Sequence, residues 1–285
     1  MNVLVNEVYI QMNKRINKGR ILVLFLVCVM TVMVSTVLGN PFTYRQKVGS
    51  LTFTVRGWIS QKFILWLLIC FVAVAIVVVW QTRYAKKCFQ IYVDLLENQC
   101  DVVKTLEIAR KGIEYGKNKL QKKDKLALNY FEKIYVSALN ANCEYEEALR
   151  YLNEEWSTKR IGIYKNILLE TKLNLAFLKK EQRQYLELYN DLLPHSTKYK
   201  QYTAYKKIFM EEYSEAIELL EKVETKTLLH NVENSYVLMQ CFVELQSYSE
   251  AEKCIEYIIE KGNTSGYKRK AEHMYQALKN KNNKK

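Results

Sequence analysis

A short pattern recurs along the chain at a nearly constant interval. The tetrapeptide YSEA occupies residues 213–216 and 248–251, and the related YEEA occupies residues 145–148. The two YSEA copies begin 35 residues apart, and the 68 residues from Tyr145 to Tyr213 equal two intervals of 34. A period in the mid-thirties is typical of helical repeat proteins, in which each copy is one supersecondary unit. We therefore expect the tetrapeptide to mark the same point of a repeated structural unit.

The stretch 234–262 predicts what one unit contains. Its apolar residues recur three and four positions apart, which is the spacing of one helix face. They are Leu238, Phe242 and Leu245, followed after a break by Ala251, Ile255, Ile258 and Ile259. Ser247 with Glu250 three residues later forms a capping box, which predicts the start of the second helix. The unit is thus predicted to be two antiparallel helices joined by a tight turn, with Ala251 small so that the helices can touch.

Glycine and proline are rare in this chain, which supports a helical fold. Only nine glycines and two prolines occur among 285 residues, whereas a sheet-rich fold with many tight turns would need more of both. Long stretches rich in Leu, Lys, Glu and Ala favour helix instead. The bias towards Lys, Asn, Ile and Tyr is typical of a bacterial genome rich in A and T.

Two segments carry the same residue types at the same spacing. The matching positions are Leu238, Phe242, Tyr248, Ala251 and Ile255 in one, and Tyr135, Leu139, Tyr145, Ala148 and Leu152 in the other. This pattern resembles the tetratricopeptide repeat family, whose 34-residue helix–turn–helix units carry a small residue in the second helix. Looser copies keep Ala216, or place Leu186 and Ala109 at the alanine position. The resemblance implies a solenoid of helix pairs over residues 84–265; an ordinary bundle whose similar helices recur by accident is the alternative.

The resemblance also implies where a partner would bind. In the tetratricopeptide family the first helix of each unit lines a concave groove that docks a partner protein or peptide. Carried over to this chain, the groove positions are Lys133, Ser137 and Asn140 in one unit, and Tyr236, Gln240 and Val243 in another.

Two long apolar runs precede the repeats. Residues 21–38 and 63–80 each form a run of eighteen without a charge, and such a helix covers roughly 27 Å, close to the ~30 Å of a bilayer core. We interpret both runs as transmembrane helices. Seven flanking cations against four in the loop 39–62 predict that residues 1–20 are a basic cytoplasmic tail and that the loop is extracytoplasmic. A signal peptide cleaved after Gly39 is an alternative reading of the first run.

These features together predict an all-α protein. It would consist of a transmembrane helical hairpin followed by an α-solenoid of antiparallel helix pairs of the tetratricopeptide type. Residues 266–285 are expected to form a polar capping helix and a basic tail. The predicted location is the cell membrane, with two membrane-spanning helices and both termini in the cytoplasm.

The chain lacks the motifs that would indicate an enzyme. Its three histidines have no second ligand at metal spacing, and no CxxC pair, glycine-rich phosphate loop or GxSxG elbow occurs. The net charge of +13 includes dense basic runs at 117–125 and 267–285, but no recognition helix or zinc module accompanies them. We therefore expect no catalytic residues, no metal, no cofactor and no nucleic-acid partner.

The predicted function is a membrane-anchored cytoplasmic scaffold or adaptor that binds a protein or peptide partner and the lipid bilayer. Two alternatives stay open. One is an accessory subunit of a membrane transport or secretion complex, and the other is a signalling receptor that senses through the loop 39–62. The partner and the oligomeric state are not defined by the sequence.

Overall fold

The structure is a computed structural model of the chain. It describes Phe25 and the segments 42–48, 51–57, 61–119, 125–156, 161–191 and 198–282. The chain divides into two compact regions, an N-terminal region of residues 6–88 and a C-terminal region that starts at Phe89.

The N-terminal region contains a β-hairpin. Strand β1 (Phe42–Val48) pairs antiparallel with strand β2 (Leu51–Gly57), and Phe42 lies opposite Gly57. The alternation of apolar and polar residues in LTFTVRG is the pattern of a half-buried strand. Most of the predicted loop 39–62 is therefore a two-stranded sheet, which an all-α description does not include.

The prediction of a transmembrane helical hairpin is wrong. Among the residues that the structure describes, no helix is long and apolar enough to cross a membrane. The run 63–80 is only part of helix α1 (Gln61–Glu97), which continues through Arg83 and Lys87, so the end of the apolar run is not the end of a helix. The run 21–38 lies outside the described residues except for Phe25. The same finding overturns the predicted location, which was the cell membrane with two membrane-spanning helices.

Helix α1 extends into the C-terminal region, where the other described elements are also helical. They are α2 (Val102–Lys119), α3 (Lys125–Ala141), α4 (Tyr145–Arg150) with the π-helical turn Tyr151–Glu155, α5 (Ile161–Leu178), α6 (Gln182–Asn190), α7 (Tyr199–Phe209), α8 (Tyr213–Glu221), α9 (Leu228–Glu244), α10 (Tyr248–Lys261) and α11 (Gly266–Asn282). From α2 to α11, each helix packs against the next along the chain. The prediction of packed helix pairs is confirmed at this level.

One residue in left-handed conformation lies in each turn that leads into α2, α4, α6, α8 and α10. These residues are Cys100 (φ 51°), Cys143 (φ 61°), Lys180 (φ 57°), Glu211 (φ 60°) and Gln246 (φ 59°). In four of the turns the next backbone N–H donates to the carbonyl five residues back, as Ser247 does to Phe242 at 2.8 Å. This bond is the one that closes a helix in a Schellman motif. The second helix of each pair starts two residues after the left-handed residue. The three tetrapeptides therefore do begin helices.

The predicted capping box at Ser247 is wrong in its mechanism. Ser247 does precede the first residue of α10, but its side chain makes no capping hydrogen bond. The turn is fixed instead by the backbone bond from Ser247 to Phe242 and by the left-handed Gln246.

Counting from the left-handed residues corrects the alignment of the pairs. The fifth residue after each of them is fully buried: Thr105, Ala148, Tyr185, Ala216 and Ala251. The alanines at 148, 216 and 251 are thus equivalent, as predicted. In the other two pairs the equivalent residues are Thr105 and Tyr185, in place of the predicted Ala109 and Leu186. Alanine is therefore replaced by a larger side chain in two of five pairs.

The turn before α11, and α11 itself, contact the first turns of the C-terminal region. Asn263 Nδ2 donates to the Gln99 carbonyl at 2.9 Å, and the Thr264 N–H donates to the Cys100 carbonyl at 3.2 Å. Further along, Arg269 donates to Asn142 Oδ1 at 2.9 Å. The helix pairs therefore do not form an open-ended array, because the turn before α11 lies against the turn before α2.

Candidate functional site

Two cavities lie between the helices of the C-terminal region. We call the larger one, of about 720 Å³, the acidic cavity because Glu97, Glu170 and Glu233 line it. The smaller one, of about 390 Å³, is the aromatic cavity, which is lined by Phe177, Tyr205, Phe209, Tyr213 and Tyr236. Both volumes lie within the range of roughly 300–1,000 Å³ that is usual for ligand sites.

The first helices of the pairs supply most of the walls. The third residue before each left-handed residue lines one of the cavities: Glu97, Asn140, Phe177, Ile208 and Val243. The sixth residue before does so in four of five pairs: Ser137, Asn174, Tyr205 and Gln240. The same two helical positions therefore face the interior from pair to pair, because residues three apart share a helix face.

Asn174 on α5 lies where the two cavities meet. It lines both of them, as does Tyr267 on α11. The Asn174 residue is 6% exposed, and its amide makes no hydrogen bond with another described residue. An amide on a cavity wall can donate to and accept from a bound molecule. Asn174 is therefore a candidate contact for a bound molecule.

Asn140 presents an acceptor to the acidic cavity. Its Nδ2 donates to Thr171 Oγ1 at 2.9 Å, and the Thr171 hydroxyl donates in turn to the Ile167 carbonyl at 2.8 Å. These two bonds define which end of the amide is which. Asn140 Oδ1 is buried and has no hydrogen-bond partner among the described residues.

Gln240 has the corresponding role at the aromatic cavity. Its Nε2 donates to the Tyr236 hydroxyl at 3.4 Å, and its Oε1 is buried without a partner in the described part of the chain. Gln240 and Asn174 occupy the same repeat position, six residues before the left-handed residue of their pairs. Three amides with unused hydrogen-bonding atoms thus line the two cavities.

Lys198 is a half-buried cation on the wall of the acidic cavity. Its Nζ lies 3.6 Å from Glu233 Oε2 and 3.9 Å from Glu170 Oε2. Burial lowers the pKa of Lys198, but the neighbouring carboxylates outweigh burial and the net pKa is raised. Lys198 is therefore a cation held between carboxylates at neutral pH.

His230 lines the same cavity as a neutral imidazole. Burial is the main cause that lowers its pKa below the ordinary value of 6.5, and the charge of Lys198 adds to the effect. The nearby carboxylate of Glu233 acts in the opposite direction without reversing it. His230 Nε2 has no hydrogen-bond partner among the described residues.

The lowered pKa of His230 predicts a pH-dependent stability. The unfolded chain takes up a proton on this residue more readily than the folded chain, so the free energy of unfolding should fall as the pH is lowered through 6.5. Replacing His230 by glutamine should reduce this fall, as measured by urea unfolding at pH 7.5 and at lower pH. The control is Gln276→Ala on the exposed side of α11, which removes no titratable group and should leave the pH dependence as it is. A His230→Gln variant with the slope of the unmodified chain would contradict the prediction.

The aromatic cavity has rings in contact on several sides. The Phe177 ring stacks on Tyr205 with centroids 4.2 Å apart, and the Tyr236 and Tyr267 centroids are 5.5 Å apart. Burial raises the pKa of Tyr236 to about 12, so this hydroxyl is neutral. Lys270 Nζ lies 5.7 Å from the Tyr236 ring centroid. Such walls suit an apolar or aromatic group.

The structure divides the six predicted groove residues into three sets. Ser137 and Asn140 line the acidic cavity, whereas Tyr236, Gln240 and Val243 line the aromatic cavity. Lys133 is exposed and lines neither.

The sequence prediction missed Asn174, Lys198 and Glu233. Asn174 could have been found by its repeat position, since it corresponds to Ser137 and Gln240 once the pairs are aligned on their turns. No sequence signal identifies Lys198, which precedes α7 outside the repeated pattern.

No protein-family model, curated protein or solved structure matches the chain. In the described residues, no three His, Cys, Asp or Glu side chains are grouped so that they could hold a metal ion.

Proposed function

We propose that the chain is a non-enzymatic helical-repeat scaffold or adaptor that binds an extended peptide segment of a partner in its two cavities. The observation that carries this proposal is the set of three amides, Asn140, Asn174 and Gln240, with unused hydrogen-bonding atoms on the cavity walls.

An amide side chain offers the same groups as a peptide bond. It carries one carbonyl acceptor and an NH₂ donor, so it can pair with the backbone of a ligand whatever the ligand's side chains are. The peptide backbone has both a donor and an acceptor at almost every residue. A peptide is therefore the ligand that best satisfies several amides at once.

The size of the cavities favours a peptide over a folded partner. Neither volume, 720 or 390 Å³, can hold a protein domain, but each can take a few residues of an extended chain.

The resemblance to tetratricopeptide repeats supports the same proposal. In that family the first helix of each pair lines the groove, and here the inward-facing positions of α3, α5, α7 and α9 line the cavities. The pairs Tyr145–Ala148 and Tyr248–Ala251 carry the family's turn pattern.

A peptide-retention experiment tests this function. The 285-residue chain is immobilised and exposed to a pool of random hexapeptides, acetylated and amidated at their ends, and the retained peptide is quantified. Replacing Asn174 by leucine, which has nearly the same shape but no amide, should lower retention by about tenfold, since buried hydrogen bonds to the ligand are lost. The control is Lys133→Glu, which changes an exposed residue outside both cavities.

The location of the peptide provides a second readout. A photo-crosslinking residue in the hexapeptide should label α5 and α9, whose residues line both cavities. Equal retention by the unmodified chain and by a folded Asn174→Leu variant would overturn the proposal, as would labelling confined to other helices.

A further inference from the structure

Two groups of packed aromatic rings line the aromatic cavity. In the first group, the centroid of the Phe177 ring lies 4.2 Å from that of Tyr205 and 5.6 Å from that of Phe209. In the second group, the Tyr236 and Tyr267 centroids are 5.5 Å apart. Among the described residues, no ring contact joins one group to the other. The cavity is therefore bounded by two sets of rings that do not pack on each other.

An aromatic ring of a ligand suits the space that the two groups leave. Aromatic rings pack with centroids about 4.5–7 Å apart, stacked or edge to face, and each ring buries a large apolar area. A ring inside this cavity can contact both groups in this way. An aliphatic side chain would bury less area and would make no ring contact.

The charged residues of this cavity lie mainly at its mouth. Lys180, Glu211 and Glu244 line it but are exposed, so water and salt screen their charges. Lys270 is half-buried, and its Nζ lies 5.7 Å from the centroid of the Tyr236 ring, whose face attracts a cation. Lys270 could attract an acidic side chain as well, which makes glutamate the occupant to compare with a ring.

Gln240 adds a buried hydrogen-bonding atom to the wall. It lies one turn after Tyr236 on α9, and its Nε2 donates to the Tyr236 hydroxyl at 3.4 Å. Its Oε1 is buried and has no partner in the described part of the chain. Because the Tyr236 hydroxyl can also donate, one atom of the Gln240 amide stays unpaired in either orientation of the amide. A buried polar atom without a partner is costly, so it favours a ligand that pairs with it.

A phenol group suits both the rings and the amide. Its ring fills the space between the two aromatic groups, and its hydroxyl can donate to Gln240 Oε1 or accept from Nε2. A phenylalanine side chain offers the ring without the hydroxyl, and a leucine side chain offers neither. The indole N–H of tryptophan can only donate.

We infer that the aromatic cavity binds a tyrosine side chain of the peptide, with its ring against the two ring groups and its hydroxyl on the Gln240 amide. This inference rests on the proposed function, because it specifies one residue of the peptide that the two cavities would take. The chain would then select peptides by an aromatic residue, in addition to the contacts that its amides make with any backbone.

Four hexapeptide pools test the inference on the 285-residue chain. All are acetylated and amidated, and each has one fixed central residue, which is Tyr, Phe, Leu or Glu. The other positions are randomised without aromatic or acidic residues, so that only the fixed residue differs. We expect the Phe pool to be retained about threefold more strongly than the Leu pool because of the ring contacts. The Tyr pool should be retained about fivefold more strongly than the Phe pool because of one hydrogen bond.

A variant assigns the preference for the hydroxyl to Gln240. Gln240→Met keeps the length of the side chain and removes the amide, so the Tyr and Phe pools should be retained about equally. The preference for Phe over Leu should remain, which also shows that the variant keeps the cavity. The matched control is Gln184→Met, the same change at an exposed glutamine of α6 outside both cavities. It should leave all the ratios unchanged.

The outcomes separate this inference from the proposed function. If the four pools are retained equally, the chain binds peptides and the inference is overturned. Strongest retention of the Glu pool would also overturn it, since the occupant would then pair with Lys270. A preference for Tyr over Phe that survives in Gln240→Met would show that the hydroxyl binds elsewhere, against the inferred site. If no pool is retained, the proposed function fails, and the inference with it.

Discussion

Replacing Tyr185 by alanine is expected to lower the free energy of unfolding by about 3–5 kcal/mol, the usual cost of removing a fully buried aromatic ring. Tyr185 is 0% exposed, and its ring centroid lies 5.0 Å from that of Phe209 and 6.3 Å from that of Phe177. Its hydroxyl donates to the Tyr202 carbonyl at 2.7 Å. Because these partners lie on α5 and α7, the residue joins its own pair to the next.

The hydroxyl and the ring can be separated by a second variant. Tyr185→Phe keeps the ring and removes only the bond to the Tyr202 carbonyl, which should cost about 0.5–1.5 kcal/mol, the usual net contribution of one hydrogen bond. Urea unfolding at neutral pH gives both values. Arg183→Ala is the matched control on α6, since its side chain is 94% exposed. If Tyr185→Ala were no more destabilising than Tyr185→Phe, the ring would not be part of the core.

Tyr185 also explains which part of the repeat could be predicted. The pairs that keep alanine at 148, 216 and 251 were aligned correctly, because a small residue at a helix contact has few alternatives. In the pair of α5 and α6 the same position is tyrosine, whereas the sequence pattern places Leu186, one position away, at the alanine position. This shift by one residue also moves the predicted inward-facing position of α5 from Asn174 to Leu175. The sequence pattern therefore does not identify the Asn174 amide, which lines both cavities.

The turns of the repeat give only a weak sequence signal. A left-handed residue that closes a helix is usually glycine, which has no Cβ to clash with the backbone. Here the five positions hold cysteine, lysine, glutamate and glutamine. The backbone bonds of the turn hold them in this conformation, and those bonds are visible only in the folded chain. The starts of α4, α8 and α10 are therefore predictable from the tetrapeptide, whereas the backbone turn that fixes them is not.

The apolar run 63–80 shows a related difficulty. Hydropathy counted over a window of residues gives the composition of a segment but not the ends of its helix. Helix α1 passes residue 80 without interruption and ends at Glu97, so a boundary drawn from composition alone was misplaced.

The contacts between the first and last helices could not be predicted from the sequence at all. Gln99 and Asn263 are separated by 164 residues, and neither belongs to a motif. Such a contact depends on the small rotation between successive pairs, which accumulates along the array. The residues that line the cavities are for the same reason only partly predictable, because the rotation decides which inner positions come together.

Replacing Gly266 by valine should separate α11 from the first turns of the C-terminal region. Gly266 is the first residue of α11, and a side chain there would overlap the backbone of Asn142. Overpacking of this kind costs about 1–3 kcal/mol, and more when the obstacle is backbone that cannot move aside. The contacts beside it should weaken as well, including the bond from Arg269 to Asn142.

Amide hydrogen exchange gives a local measurement of this effect. The N–H groups of Thr264 and Val103 are bonded between the two ends, to the Cys100 carbonyl and to Thr264 Oγ1, so both should exchange faster in Gly266→Val. The control is Glu272→Val on the exposed face of α11, which should leave these two rates unchanged. Unchanged rates in Gly266→Val would show that the ends are held by other contacts. Since Tyr267 lines both cavities, faster exchange accompanied by weaker peptide retention would link this closure to the binding site.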